Sequence, residues 1–168
     1  MILIKRKRKD KSGQEHLLLA MTRKDYALEA EIECQKRLVK SGKQETYDLQ
    51  PFASYIARLA EIARIANAIT APPSERTYNL ATQIGKEVSR LSGVDFITCF
   101  EPTKTKRRHI SQKLKSYAEK SFEPKLKPTH LTILIVDDII YTGRTLAETA
   151  KALEELGNFV IPVALTYT

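Results

Sequence analysis

Apolar positions along the chain first follow hairpin-like and helix-like intervals, and from about residue 65 they alternate between strand and helix patterns. MILI (1–4) and HLLLAM (16–21) flank a polar stretch containing Ser12-Gly13, the pattern of a β-hairpin. Leu28, Ile32 and Val39 recur at near-helical spacing between Lys24 and Val39, with Glu33 and Arg37 placed as an i,i+4 pair. KSGKQETYDLQP reads as a connector. Pro51 then opens a second helix with Phe52, Ile56, Leu59, Ile62 and Ala63 on one apolar stripe.

NAITAPPSE is a short strand broken by Pro72-Pro73, since two prolines continue neither strand nor helix. Leu80, Ile84, Val88 and Leu91 mark a helix stopped by Gly93, and DFITCF predicts another short strand. LTILIV (131–136) is apolar on both faces, as in a parallel sheet covered on both sides. Leu146, Ala150, Leu153 and Leu156 predict a helix capped by Gly157. FVIPVALTY is the last strand, where Pro162 argues for an edge position or a strand end. The alternation predicts an α/β fold with a parallel sheet in residues 61–168. Residues 1–60 are expected to form an N-terminal appendage of hairpin and helices.

Composition narrows the class. With 168 residues, 42 % hydrophobic and 29 % charged, the chain can bury a real core. No apolar run reaches the roughly 18 residues of a membrane span, and the N-terminus has its apolar residues before its charges, unlike a secretory signal. Cys34 and Cys99 have no metal-like spacing. A cytoplasmic protein without membrane attachment is expected.

The +8 formal charge is uneven: residues 1–50 carry 12 Lys+Arg against 8 Asp+Glu, residues 101–130 carry 9 against 3, and residues 131–168 carry 2 against 5. KRKRKDK (Lys5 to Lys11) alone holds six cations in seven residues. Such local excess points to an anionic partner, a polyphosphate or nucleic acid, although a solvated lysine surface has the same composition. Residues 101–130 are basic and bounded by Pro102, Pro124 and Pro128, a long excursion of the kind that serves as a lid over a site.

The chemistry concentrates in LTILIVDDIIYTGRT. Adjacent carboxylates, Asp137 and Asp138, end the apolar run, where repulsion and desolvation penalise them. Ligands in open parallel sheets bind beyond the carboxyl ends of the strands. Gly143 allows close backbone approach, and the amides opening the next helix, from Thr145, form an anion site aided by the Thr142 and Thr145 hydroxyls. A phosphate in the turn joined to a sugar whose hydroxyls the acids accept is a ribose 5-phosphate.

ILIVDDIIYTGRT resembles the signature of type I phosphoribosyltransferases. The resemblance implies a Rossmann-like core binding 5-phosphoribosyl-1-pyrophosphate (PRPP) with Mg²⁺ carried by the ligand and not held directly by the protein. Asp137 and Asp138 would take the ribose hydroxyls, and Tyr141, Thr142, Gly143, Arg144 and Thr145 the 5-phosphate. The position before Thr142 is usually small in the family. Here it is Tyr141, which either crowds the turn or points away. PPSERTYNLA (Pro72 to Ala81) resembles the pyrophosphate loop of the ComF-like branch, with Thr77 in place of its glycine. Ser74 and Arg76 are the residues it implies for pyrophosphate. The family's closing loop corresponds to EPTKTKRRHISQKLK, where Lys104 would contact pyrophosphate. Lys106, Arg107 and Arg108 would stabilise its departure as charge grows.

The resemblance covers roughly residues 65–168. It implies transfer of a 5-phosphoribosyl group to an unidentified acceptor, in a protein free to form homo-oligomers. Residues 1–60 could act as a hood over the acceptor. The alternative is a non-catalytic relative that senses PRPP or binds nucleic acid, with a DNA-uptake or regulatory role. Aromatic residues are scarce in both basic segments, which weakens base stacking. The sequence separates the Lys5–Lys11 run from the sheet by about 60 residues, so it is expected to stay out of the PRPP site.

Overall fold

The structure is a computed structural model that describes residues 4–9, 12–74, 79–101 and 123–168. It is mixed α/β, with one mostly parallel five-stranded sheet. In chain order the elements are β1 (Ile4–Lys9), β2 (Glu15–Arg23), α1 (Tyr26–Lys40), a 3₁₀ turn at Gln50–Phe52, α2 (Ala53–Ala63), β3 (Ala68–Thr70), α3 (Leu80–Ser92), β4 (Thr132–Ile140), α4 (Arg144–Glu154) and β5 (Phe159–Tyr167). The sheet runs β1-β2-β5-β4-β3, antiparallel in the β1–β2 hairpin and parallel elsewhere.

Alternation in β4 divides the core. Leu134 and Val136 face α1, α2 and α3, packing with Ile32, Phe52, Leu59, Leu80, Ile84 and Val163. Ile133 and Ile135 face α4 and meet Leu146, Ala150, Leu153, Leu18 and Ala164. These β4 side chains are fully buried, each contributing about 1.5–3 kcal/mol from removal from water. The N-terminal sixty residues share in this core, through Leu18 on one face and Met21, Leu28 and Ile32 on the other.

Several local expectations change. DFITCF forms no strand: it meets β3 through a single parallel bridge, Ile69 to Phe96, supported by Thr70 Oγ1 donating to Ile97 O at 2.8 Å. Pro162 lies within central β5, opposite Ile135. The β2–β5 ladder begins one residue later, at Leu19 and Val163, so the missing N–H falls before the second partner arrives. α4 stops at Glu154, leaving Leu156 beyond it, and Gly157 takes a positive φ of 81°. Arg37 donates to the Glu33 backbone carbonyl at 3.3 Å, while the Glu33 carboxylate turns to other partners.

The connections fix where a crevice can form. After β3 the chain passes through α3 to Phe96, on the side of β3 away from β4. After β4 it passes through α4, on the other face, to β5. The connections therefore step across the sheet in opposite senses from the parallel strands β3 and β4, and a crevice at the carboxyl ends of two such strands is where open α/β sheets bind ligands.

Candidate functional site

Both sequence-predicted segments lie at the carboxyl ends of neighbouring parallel strands: β3 leads into Pro72–Ser74, and β4 carries Asp137 and Asp138 and leads into the turn at Tyr141–Thr145. The acids do not end the strand, because β4 continues to Ile140. Asp137 is half-buried opposite Ala164, and Asp138 is 8 % exposed. Each accepts from the next backbone amide: Asp138 N–H donates to Asp137 Oδ1 at 2.9 Å and Ile139 N–H to Asp138 Oδ1 at 2.7 Å. The acid pair is thus built into the backbone at a point where the ladder skips Asp138.

What compensates the buried charge comes from α1. Lys36 Nζ lies 3.0 Å from Asp138 Oδ2 and 3.5 Å from Glu33 Oε1. Burial pulls the Lys36 ammonium down, but Asp138, then Glu33 and Asp137, outweigh it and raise its pKa above the usual 10.5. The Tyr141 side chain turns toward α1: its hydroxyl donates to Glu33 Oε1 at 3.0 Å. Burial, then the Glu33 carboxylate, raises the Tyr141 pKa. α1 is held over the acids from its own start, where Asp25 caps it by accepting from Leu28 N–H at 3.0 Å.

The turn itself suits an anion. Gly143 is the N-cap of α4, at φ 76°, and brings no side-chain cap. Arg144 N–H reaches Thr142 Oγ1 at 3.3 Å, and Ala147 N–H donates to Gly143 O at 3.0 Å. The remaining amides of the first turn are the usual donors to a phosphate at a helix N-terminus. Thr142 is exposed, and Thr145 and Arg144 are half-buried.

Beside β3 a cleft of about 110 Å³ is lined by Thr70 to Ser74, Asn79, Thr82, Lys86 and residues between Phe96 and Glu101. Ser74 lies on the wall of this cleft. Asn79 caps α3 by accepting from Thr82 N–H at 2.7 Å. The Cys99 thiol on this wall has its pKa raised by burial. Arg76, Lys104, Lys106, Arg107 and Arg108 lie outside the described residues.

No protein-family model matches the chain, and no curated protein matches it. Solved structures do. Adenine phosphoribosyltransferase from Thermoanaerobacter pseudethanolicus is similar at 21 % identity and a TM-score of 0.47, over 72 % of this chain and 82 % of that one. Orotate phosphoribosyltransferase from Aeropyrum pernix is similar at 15 % identity and a TM-score of 0.44, over 94 % of this chain and 71 % of that one. Purine phosphoribosyltransferase from Pyrococcus horikoshii is similar at 17 % identity and a TM-score of 0.47, over 69 % and 81 %. At this level of likeness the reading of the site rests on its residues.

Sequence reasoning missed Lys36 and the new role of Glu33. Their i,i+3 spacing on α1 was visible, but nothing local says that this face of the helix covers a strand a hundred residues away. It also missed Thr82 and Lys86, whose place on the cleft wall depends on α3 docking beside β3. Among the described residues, no three His, Cys, Asp or Glu side chains cluster closely enough to hold a metal ion, and no helix is long and apolar enough to cross a membrane.

Proposed function

We propose that this chain binds PRPP in the crevice between β3 and β4 and transfers its 5-phosphoribosyl group to an acceptor, releasing pyrophosphate. The observation that supports it is the joining, at the carboxyl end of β4, of an acid pair, a Thr-Gly turn and an α4 N-terminus without a side-chain cap. Asp137 and Asp138 accept the ribose hydroxyls, and the Tyr141–Thr145 backbone amides and hydroxyls hold the 5-phosphate. Ser74, Arg76 and Lys104 serve the pyrophosphate, and Lys106, Arg107 and Arg108 stabilise it as it leaves. The bond from ribose C1 to the pyrophosphate oxygen breaks with its electron pair going to pyrophosphate, and the acceptor's lone pair forms the new bond to C1. Positioning and charge neutralisation do the catalytic work. The Pro72–Ala81 segment favours the ComF-like branch.

Magnesium suits these hard oxygen donors, but Asp138 has Ile139 N–H on one oxygen and Lys36 on the other. The diphosphate's own oxygens are therefore the natural carriers of the ion. Bound there, it would supply positive charge to the pyrophosphate, while Asp137 and Asp138 hold the ribose hydroxyls.

Calorimetry with PRPP, with and without Mg²⁺, tests the reading. Magnesium-dependent binding by the wild type, lost in Asp137→Asn with folding retained, is expected. No binding by the wild type, or unchanged affinity in Asp137→Asn, overturns it. A second reading, a non-catalytic polyanion binder, draws support from Lys5, Lys7 and Lys9, all exposed on one face of β1. Tight, salt-sensitive DNA binding without PRPP binding would favour it.

A further inference from the structure

The fold brings the basic N-terminal run to the phosphate turn. β1 pairs with β2 in the register that sets Arg8 opposite His16, and β2 joins β5 in the central sheet. Successive side chains of a strand point to opposite faces. Lys5, Lys7 and Lys9 take the exposed face, so Arg8 takes the face that packs on the start of α4.

The contact is close. A Cβ built on Gly143 would stand 2.7 Å from Arg8 Cγ, 3.4 Å from Arg8 Cδ and 2.6 Å from Leu18 Cδ1. The arginine stem thus lies across the glycine that opens α4, and only a glycine leaves room for it. Nε, bonded to Cδ, is buried and has no hydrogen-bond partner among the described residues. Cross-strand His16 is engaged elsewhere, its Nδ1 3.3 Å from Glu154 Oε2. Arginine stays ionised at any working pH, and a buried donor left unmatched carries a desolvation penalty. An anion seated in the turn removes that penalty, and a planar guanidinium suits phosphate oxygens better than lysine does.

We propose that Arg8, from the N-terminal hairpin, is the side-chain cation of the phosphate turn and binds the same phosphate as the Tyr141–Thr145 amides. This rests on the reading of that turn as a 5-phosphate site. It implies that the hairpin is part of the binding site, contrary to the sequence expectation that the Lys5–Lys11 run stands apart from it.

The full chain is compared with Arg8→Met, Arg8→Lys and, on the opposite face, Lys7→Met. Calorimetry uses ribose 5-phosphate, PRPP with Mg²⁺, and free pyrophosphate; thermal midpoints are read with and without inorganic phosphate. Arg8→Met keeps an unbranched stem over Gly143 and should weaken ribose 5-phosphate and PRPP about tenfold or more, the size of one to two charge-assisted hydrogen bonds. Its affinity for pyrophosphate should not change. Inorganic phosphate should raise the midpoint of the wild type and Lys7→Met but not of Arg8→Met, with Arg8→Lys between. If Arg8→Met fails to fold, Arg8→Lys carries the test through its smaller loss of ribose 5-phosphate affinity.

Wild-type affinity for ribose 5-phosphate in a folded Arg8→Met, or in Arg8→Lys when it alone folds, would make the arginine a packing residue and overturn the proposal. Arg8-dependent stabilisation by phosphate without PRPP binding would support the arginine site while overturning the proposed function. A wild type that responds to none of these anions overturns both.

Discussion

At Asp138 two expectations compete. Two adjacent carboxylates repel, so neutralising either should leave the protein as stable or more so. Yet Lys36 lies 3.0 Å from Asp138, in surroundings that leave the acid 8 % exposed. Removing one partner of such a pair strands the other, a penalty of about 1–3 kcal/mol for a pair that water still partly reaches. Lys36→Met and Asp138→Asn should therefore each lower stability by that amount, whereas Asp137→Asn, a lesser contributor to the raised Lys36 pKa, should lower it less. Urea denaturation measures this, and variants at both acids that are as stable as wild type or more so would show that repulsion dominates after all. The pH dependence has a definite sign. The Lys36 pKa is raised on folding, so its stabilisation is fully present below its ordinary 10.5 and fades as pH climbs through the higher folded value. The gap between wild type and Lys36→Met should be flat from neutrality to about pH 10 and narrow above it. Asp137, Asp138 and the Thr-Gly turn were legible because their chemistry is written locally. Lys36 was not, because a helix face names its partner only after docking.

Among elements, helix α3 carries a position where intrinsic preference and packing disagree. Gly85 lies in its interior, where replacement by alanine normally stabilises by about 1 kcal/mol. Here the added Cβ would stand 2.6 Å from Phe96 Cε2 and 3.1 Å from Phe96 Cδ2. Overpacking of that kind costs roughly 1–3 kcal/mol, so the clash outweighs the helix gain. Gly85→Ala should lose up to about 2 kcal/mol net, and trimming the ring in Gly85→Ala/Phe96→Leu should recover part of it relative to Phe96→Leu alone. Non-additivity absent from that double-mutant cycle would mean that the ring moves freely. The same contact explains why DFITCF reads as a strand and is not one. Its alternating apolar residues serve α3 and β3 through Phe96, and one bridge to Ile69 completes the pairing. The strands β4 and β5 were legible from apolar residues on both faces. Pro162 misled because the rule against proline in central strands concerns ladder hydrogen bonds, and the β2–β5 ladder starts one residue beyond it.

Across the whole molecule the question is whether its charge acts at contacts or as a field. The formal +8 raises the local concentration of any anion, wherever individual lysines point. The hairpin separates the two mechanisms by strand parity: Lys5, Lys7 and Lys9 are exposed, while Arg8 packs against Gly143. Changing Lys5, Lys7 and Lys9 to glutamine removes three charges, and among the described residues the ion pair it breaks is the exposed one from Lys7 to Glu15 at 3.3 Å. Such a pair contributes at most about 1 kcal/mol to folding. At 0.1 M ionic strength, screening acts over about 10 Å, so the triple variant should bind PRPP within about twofold of wild type. At 0.01 M the screening length grows to about 30 Å, and the variant should then weaken visibly, by slower association more than by faster release. Loss of Arg8, by contrast, should persist at both ionic strengths, because a guanidinium in contact with phosphate is little screened by added salt. Stopped-flow binding at the two salt concentrations resolves the cases. A triple-lysine variant that loses as much PRPP affinity at 0.1 M as Arg8→Met would show that the hairpin serves the site through its field alone, with no role for the contact between Arg8 and Gly143.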